Sequence, residues 1–290
     1  LQCPIMQLSA HEGEIFCARF HPSGEILASA GFDRKILLWN VYGDCINWGS
    51  LLSHGGAVMQ LEWRPDGKEL VSCGTDRLAF FWDLATCTRV KKCKGHKSFV
   101  NGVSFNPDNH SLICTCGDDG CVKTWDRRKR DETGSLAASV QVLCCGFSRD
   151  GLDICSGGID NCVKVWDLRK MELREAIYGH TDTITGLAFS PKQGLLATNS
   201  MDETVRVWDV NPFVSHNQNR CISVFTGVRH NFEQNLLRVA WSPDGSRLSA
   251  GSADRMVNVW NFHYGTLLYR LPGHSGSVNE THFHPFESII

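Results

Sequence analysis

Histidine, a hydroxyl residue and aspartate recur as a set along this chain, and that set could do chemistry. The full sets are His11, Ser29 and Asp33; His54, Ser72 and Asp76; His96, Thr115 and Asp119; and His180, Thr198 and Asp202. Two more are partial. Ser156 and Asp160 come with Ala138 where the histidine should fall, and His230 and Asp254 with Ala250 where the hydroxyl should fall. A histidine between a hydroxyl and a carboxylate can turn the oxygen into a nucleophile. Here the repetition argues otherwise. An active site occurs once, whereas this set returns along the whole chain, with each hydroxyl four residues before its aspartate. Recurring polar sets satisfy buried groups in a scaffold. The chain is expected to have no catalytic residues.

Metal and cofactor chemistry find little support. Cys114, Cys116 and Cys121 lack the paired Cys-x2-Cys spacing of a zinc site. Alternate residues on a strand share one face, so core packing suits these cysteines better. The pair His282 and His284 has the same weakness. No glycine loop built for phosphate is present. No metal and no cofactor is expected. Arg127, Arg128, Lys129 and Arg130 form one basic run, read as a solvated loop with a peripheral contact to RNA or to an acidic partner as the functional alternative.

The elements that position these residues follow from a repeat. Tryptophan followed by Asp or Asn recurs at Trp39, Trp82, Trp125, Trp166, Trp208 and Trp260, with spacings of 43, 43, 41, 42 and 52. Six residues before each tryptophan stands an aspartate of the sets above. Segments such as Val163-Lys164-Val165-Trp166 alternate with period two, as half-buried strands do. Turn residues such as Pro65-Asp66-Gly67 separate them. No 3.6-residue apolar stripe competes. Composition agrees with a folded globular protein: 290 residues, 42% hydrophobic, 21% charged. The formal net charge of −2 argues against binding nucleic acid by bulk electrostatics. No run of 18 apolar residues exists, so no membrane partner is expected. The 14 cysteines scatter through strand-like runs and read as reduced, buried side chains.

The Gly-His and Trp-Asp signatures at this period resemble the WD40 β-propeller family, over essentially the whole chain. The resemblance implies that tryptophan, hydroxyl, histidine and aspartate of one unit form a hydrogen-bonded tetrad. Six complete units and a seventh start at Gly273-His274 predict seven blades. The single domain 1–290 then divides into blades at roughly 9–44, 52–87, 94–130, 136–170, 178–212 and 221–264, with 272–290 plus 3–8 as the last. In this family the N-terminal strand, here Ile5 to Leu8, closes the last blade. That blade is expected to be incomplete at the C-terminus of this chain.

If repeated residues build the ring, the variable ones recognise partners. Those at the expected channel mouth are Phe32, Asp118, Ile159 and Met201 just before the turn aspartates, and Glu14, Phe99 and Asn235 where inner strands begin. The 52-residue spacing holds an insertion, partly at 211–220 and partly at 229–235, and Phe232 in that polar loop is a candidate anchor.

Several segments resemble, more narrowly, the WD40 family of U5 small nuclear ribonucleoprotein subunits: Gly31-Phe32-Asp33-Arg34, Gly157-Gly158-Ile159-Asp160-Asn161, Pro212-Phe213, and above all His230-Asn231-Phe232-Glu233-Gln234-Asn235-Leu236-Leu237-Arg238. That resemblance implies a nuclear, non-catalytic scaffold subunit of the U5 particle and the tri-snRNP. It would act in pre-mRNA splicing and dock onto the large U5 scaffold protein. RNA contact would be peripheral, and no small-molecule substrate is implied. The alternative is an adaptor that takes a short peptide, a histone tail or a degron, at the channel mouth in a chromatin or ubiquitin-ligase complex.

Overall fold

The computed structural model describes residues 6–192, 194–212, 220–233 and 235–290. Its strands form six antiparallel sheets of four strands each, every sheet ordered as the chain runs. The first blade is β1 (Ile15–Phe20), β2 (Ile26–Gly31), β3 (Lys35–Asn40) and β4 (Asn47–Leu52). The second is β5 (Val58–Trp63), β6 (Glu69–Gly74), β7 (Leu78–Asp83) and β8 (Thr88–Lys94). The third is β9 (Val100–Phe105), β10 (Leu112–Gly117), β11 (Cys121–Asp126) and β12 (Glu132–Ala137). The fourth is β13 (Val142–Phe147), β14 (Asp153–Gly158), β15 (Cys162–Asp167) and β16 (Glu172–Tyr178). The fifth is β17 (Ile184–Phe189), β18 (Leu195–Ser200), β19 (Thr204–Asp209) and β20 (Cys221–Thr226). The sixth is β21 (Val239–Trp241), β22 (Arg247–Gly251), β23 (Val257–Asn261) and β24 (Thr266–Leu271). The inner strands β1, β5, β9, β13, β17 and β21 touch in succession and surround a channel.

Six blades replace the seven expected from the sequence. The segment that follows Gly273-His274 contains no strand. It lies as extended chain between blades six and one and is held largely by side chains. Glu280 accepts the Ala18 amide at 2.9 Å, His282 accepts the Phe20 amide at 3.4 Å, and Asn279 donates to the Ile15 carbonyl at 2.9 Å. On the other side the Arg238 and Val278 amides bond Asn279 and Ser252 carbonyls at 2.9 and 3.1 Å. One segment without a hairpin partner makes a filler, not a blade. Of the proposed closing strand, Ile5 lies outside the described residues, and Met6 to Leu8 form no strand. The residues 213–219 of the insertion, with Phe213, and Gln234 also lie outside the described residues.

The outer strand of each blade falls beyond the limit set from the repeat; β4, for example, starts at Asn47, past residue 44. The Trp-Asp motif ends the third strand, and a fourth follows after the next turn. Apolar residues pack between blades. One cluster joins Cys17, Ile36 and Leu38 of blade one to Leu61, Phe80 and Trp82 of blade two. The hairpin turns at the lower end are stitched across blades. His21 bonds the Gly67 carbonyl at 2.9 Å, and Asn106 donates to the Gly151 carbonyl at 2.9 Å. His284 of the filler segment makes the same contact with Gly24, at 3.0 Å. Gly67 has φ of 74°, and a Cβ there would lie 2.3 Å from His21, so the stitch requires glycine. Nine of the described cysteines are buried thiols.

Candidate protein-docking face

Four of the polar sets close in the same way. In blade one His11 Nδ1 donates to Asp33 at 2.8 Å, its Nε2 meets Ser29 Oγ at 2.7 Å, and Trp39 Nε1 donates to that oxygen at 2.8 Å. His54, Asp76, Ser72 and Trp82 repeat this at 2.9, 2.7 and 2.8 Å. His96, Asp119, Thr115 and Trp125 do so at 2.9, 2.8 and 2.8 Å. His180, Asp202, Thr198 and Trp208 do so at 2.8, 2.8 and 2.7 Å. Ser72, Thr115 and Thr198 are fully buried, so no substrate could reach the oxygen. The network satisfies polar groups and holds the turn. Burial works to raise the Asp76, Asp119 and Asp202 carboxyls, but hydrogen bonds from histidine and turn amides outweigh it and hold them below the ordinary value. Burial also pushes His96 down, against the pull of Asp119.

The two irregular blades differ. In blade four Trp166 Nε1 still donates to Ser156 at 2.8 Å. A lysine takes over from the absent histidine: Lys164 Nζ pairs with Asp160 at 2.5 Å and donates to the Ala138 carbonyl at 2.7 Å. In blade six the tetrad does not form. His230 Nε2 is buried without a hydrogen bond, Asp254 pairs with Arg270, and Trp260 Nε1 donates to the Thr226 carbonyl at 3.2 Å. Burial pushes His230 below the ordinary histidine range.

The tetrad turns position the variable residues. In the first five blades the residue before the turn aspartate gives its amide to the residue just ahead of the inner strand. Phe32 bonds Glu14 at 2.8 Å, Thr75 bonds Ala57 at 2.9 Å, Asp118 bonds Phe99 at 3.0 Å, Ile159 bonds Gln141 at 3.3 Å and Met201 bonds Thr183 at 2.8 Å. In blade six Ala253 turns instead to Arg229, at 2.9 Å. These pairs bring the two groups of rim residues together at one end of the channel. Three apolar side chains there face solvent: Phe32 at 66%, Phe99 at 50% and Ile159 at 45% exposure. Met201 is only partly exposed.

The loop before blade six adds a fourth. Asn231 and Asn235 donate to Glu233 at 3.0 and 3.2 Å, while Phe232 stands out at 93% exposure. The mouth also holds a residue that the repeat did not single out. Arg238 is buried and sends Nη2 across the channel to the Asn101 and Met59 carbonyls, at 2.8 and 3.3 Å. A lone arginine in the apolar run Leu236-Leu237-Arg238-Val239 was the available signal.

The basic run lies at the opposite end, where β11 stops. Arg127 pairs with Glu69 at 2.7 Å, and Arg128 grips Asp126 with two bonds of 3.0 and 2.9 Å. Lys91 of β8 donates to the Asp126 and Lys129 carbonyls and ties the loop to blade two. Lys129 and Arg130 stay exposed. Cys114 and Cys145 meet at 3.8 Å within the core. Among the described residues no three His, Cys, Asp or Glu side chains gather as metal ligands.

The WD domain, G-beta repeat, matches residues 2–40, 48–83, 87–126, 131–167, 171–209 and 219–261. The chain is 54% identical over all its 290 residues to the human protein described as U5 small nuclear ribonucleoprotein 40 kDa protein, covering 81% of it. It is 40% identical to pre-mRNA-splicing factor cwf17 of Schizosaccharomyces pombe, covering 84% of that protein. The Dictyostelium discoideum U5 small nuclear ribonucleoprotein 40 kDa protein is 39% identical, with 81% of it covered. With repeat units matched along most of its length and such relatives aligned over the whole of it, this chain belongs to the WD40-repeat family, in the group of the U5 small nuclear ribonucleoprotein 40 kDa proteins.

Proposed function

We propose that this chain is a non-catalytic scaffold subunit of the U5 small nuclear ribonucleoprotein in pre-mRNA splicing, docking through the channel end that carries Phe32, Phe99, Ile159 and Phe232. The relatives' names support the splicing role. The observation that carries the docking face is its side chains. Large apolar groups stand exposed there, and backbone hydrogen bonds at the turns pin Phe32, Phe99 and Ile159. A rigid apolar surface binds with little ordering cost. The partner is a spliceosomal protein, by our reading the large U5 scaffold protein, and the site of action is the nucleus. Lys129 and Arg130 at the far end supply at most a peripheral contact with RNA or an acidic segment.

A pull-down of the tagged chain from nuclear extract, with mass spectrometry and probing for U5 RNA, tests both parts. Recovery of U5 RNA with splicing proteins is expected. Recovery of a chromatin or ligase complex without U5 RNA would overturn the splicing role. Phe99→Asp and Ile159→Asp should leave melting unchanged and reduce capture about tenfold or more, as the loss of interface anchors does. Full capture by both variants would overturn the docking face.

A further inference from the structure

We infer that the channel mouth is a carboxylate-binding site: Arg238 receives an aspartate or glutamate side chain from the protein segment that lies across the docking face. This rests on the docking reading above and names what enters its centre.

Arg238 is 4% exposed, yet it donates to neutral carbonyls, those of Asn101 and Met59. A guanidinium has five N–H donors, and Nη2 accounts for both contacts. Among the described residues no carboxylate pairs with it, and the nearby acids are engaged elsewhere. Asp118 is held by Asn101 Nδ2 at 2.6 Å. Glu233 is held by Asn231, Asn235 and, at 3.4 Å, Ser277. Deeper in the channel Glu280 pairs with Arg19 at 2.9 Å. Glu62 lines a separate hollow with Arg19 and His282, and Arg238 acts on it through its charge alone. A buried cation that lacks a counter-ion is costly to hold. Its planar fork matches a carboxylate with two parallel bonds.

The surroundings select the ligand. A hollow above the guanidinium is lined by Phe16, Met59, Leu236 and Asn235. Three of these four are apolar, so the pair would form out of water, where such bonds are strongest. Glu14, Asp118 and Glu233 stand around the mouth and would repel a polyanion such as RNA. One carboxylate between apolar neighbours, its flanks resting on Phe32 and Phe99, satisfies both the centre and the rim.

Phage-displayed random 12-mers selected on the immobilised full chain provide the test, followed by anisotropy titration of the best synthetic peptide. One fixed Asp or Glu between apolar residues is expected. Changing it to Asn or Gln in the peptide should weaken binding about 30-fold or more, as loss of one partner of a desolvated pair does. Arg238→Gln should abolish that discrimination. The peptide substitution needs no altered protein, so it holds even if Arg238→Gln fails to fold. A peptide that tolerates Gln but loses affinity to Phe99→Asp overturns the carboxylate site and leaves the docking face standing. A peptide indifferent to both changes overturns both. A best peptide with a fixed Lys or Arg at its centre overturns the carboxylate site.

Discussion

A single hydroxyl in each regular blade accepts from the tryptophan and donates to the histidine, and its loss would leave both without a partner. Thr198→Val keeps the shape but strips the acceptor from Trp208 and the partner from His180. We expect a loss of about 1–3 kcal/mol in urea unfolding, the cost of leaving buried groups unsatisfied. Lys164→Met should cost about 1–2 kcal/mol and Asp160→Asn a similar amount, with a double variant well short of the sum, because both remove one interaction. Glu62 gives a pH signature. Burial in the channel wall is the main cause that raises its carboxyl to about 7, with Glu280 adding to it and Arg19 and Arg238 opposing. The folded chain therefore holds a proton that the unfolded chain releases near pH 4–5. Ionisation costs stability as pH rises through about 7. Glu62→Gln should raise Tm at pH 8 and leave it nearly unchanged at pH 4. The full tetrads were legible because residue type and spacing repeat four times. Lys164 was not, since it answers for a missing histidine from another strand. Arg238 was not, since its partners lie 137 and 179 residues away.

At the scale of the strand, blade six departs from its neighbours. Its inner strand has three residues where the other five blades have six, and its tetrad is absent. Its outer strand β24 is exposed along five of six positions, whereas β4, β12 and β20 alternate or bury a residue. Few buried contacts mean low local stability. Amides of β22–β24 should therefore exchange with deuterium faster than those of β14–β16, and equal protection would contradict this. The period-two segment Val163-Lys164-Val165-Trp166, read from the sequence as a strand, lies within β15. The seventh blade failed for a reason of the same scale. Gly273-His274 repeats a motif that elsewhere precedes four paired strands, but a motif fixes a turn, and only a paired neighbour makes a strand.

For the molecule as a whole, acid should be the weak side. The lowered Asp76, Asp119 and Asp202 carboxyls contribute stability that is complete above about pH 4 and lost as pH falls below it. His282 acts earlier. Burial, with Arg19 and His284 close by, pushes it down to about 3. The unfolded chain takes that proton below about pH 6.5, so stability drops from there toward about 3. Between pH 7 and 4 the His282 loss opposes the Glu62 gain, so His282→Gln should make Tm rise as pH falls through that range, whereas below about pH 4 the Tm of both chains should fall.

The join between the two ends of the ring differs in kind from every other. Elsewhere neighbouring blades share a broad apolar layer, but the filler segment reaches the Ala18 and Phe20 amides through Glu280 and His282, 262 residues along the chain. Four side chains, Asn279, Glu280, His282 and His284, thus serve as the clasp of a bracelet. Such a clasp must fasten last during folding, after all six blades stand, because nothing local brings its halves together. It is also where the bracelet would first come undone, so a label at the exposed Phe286 should report opening under acid or mechanical load before any blade loses its strands.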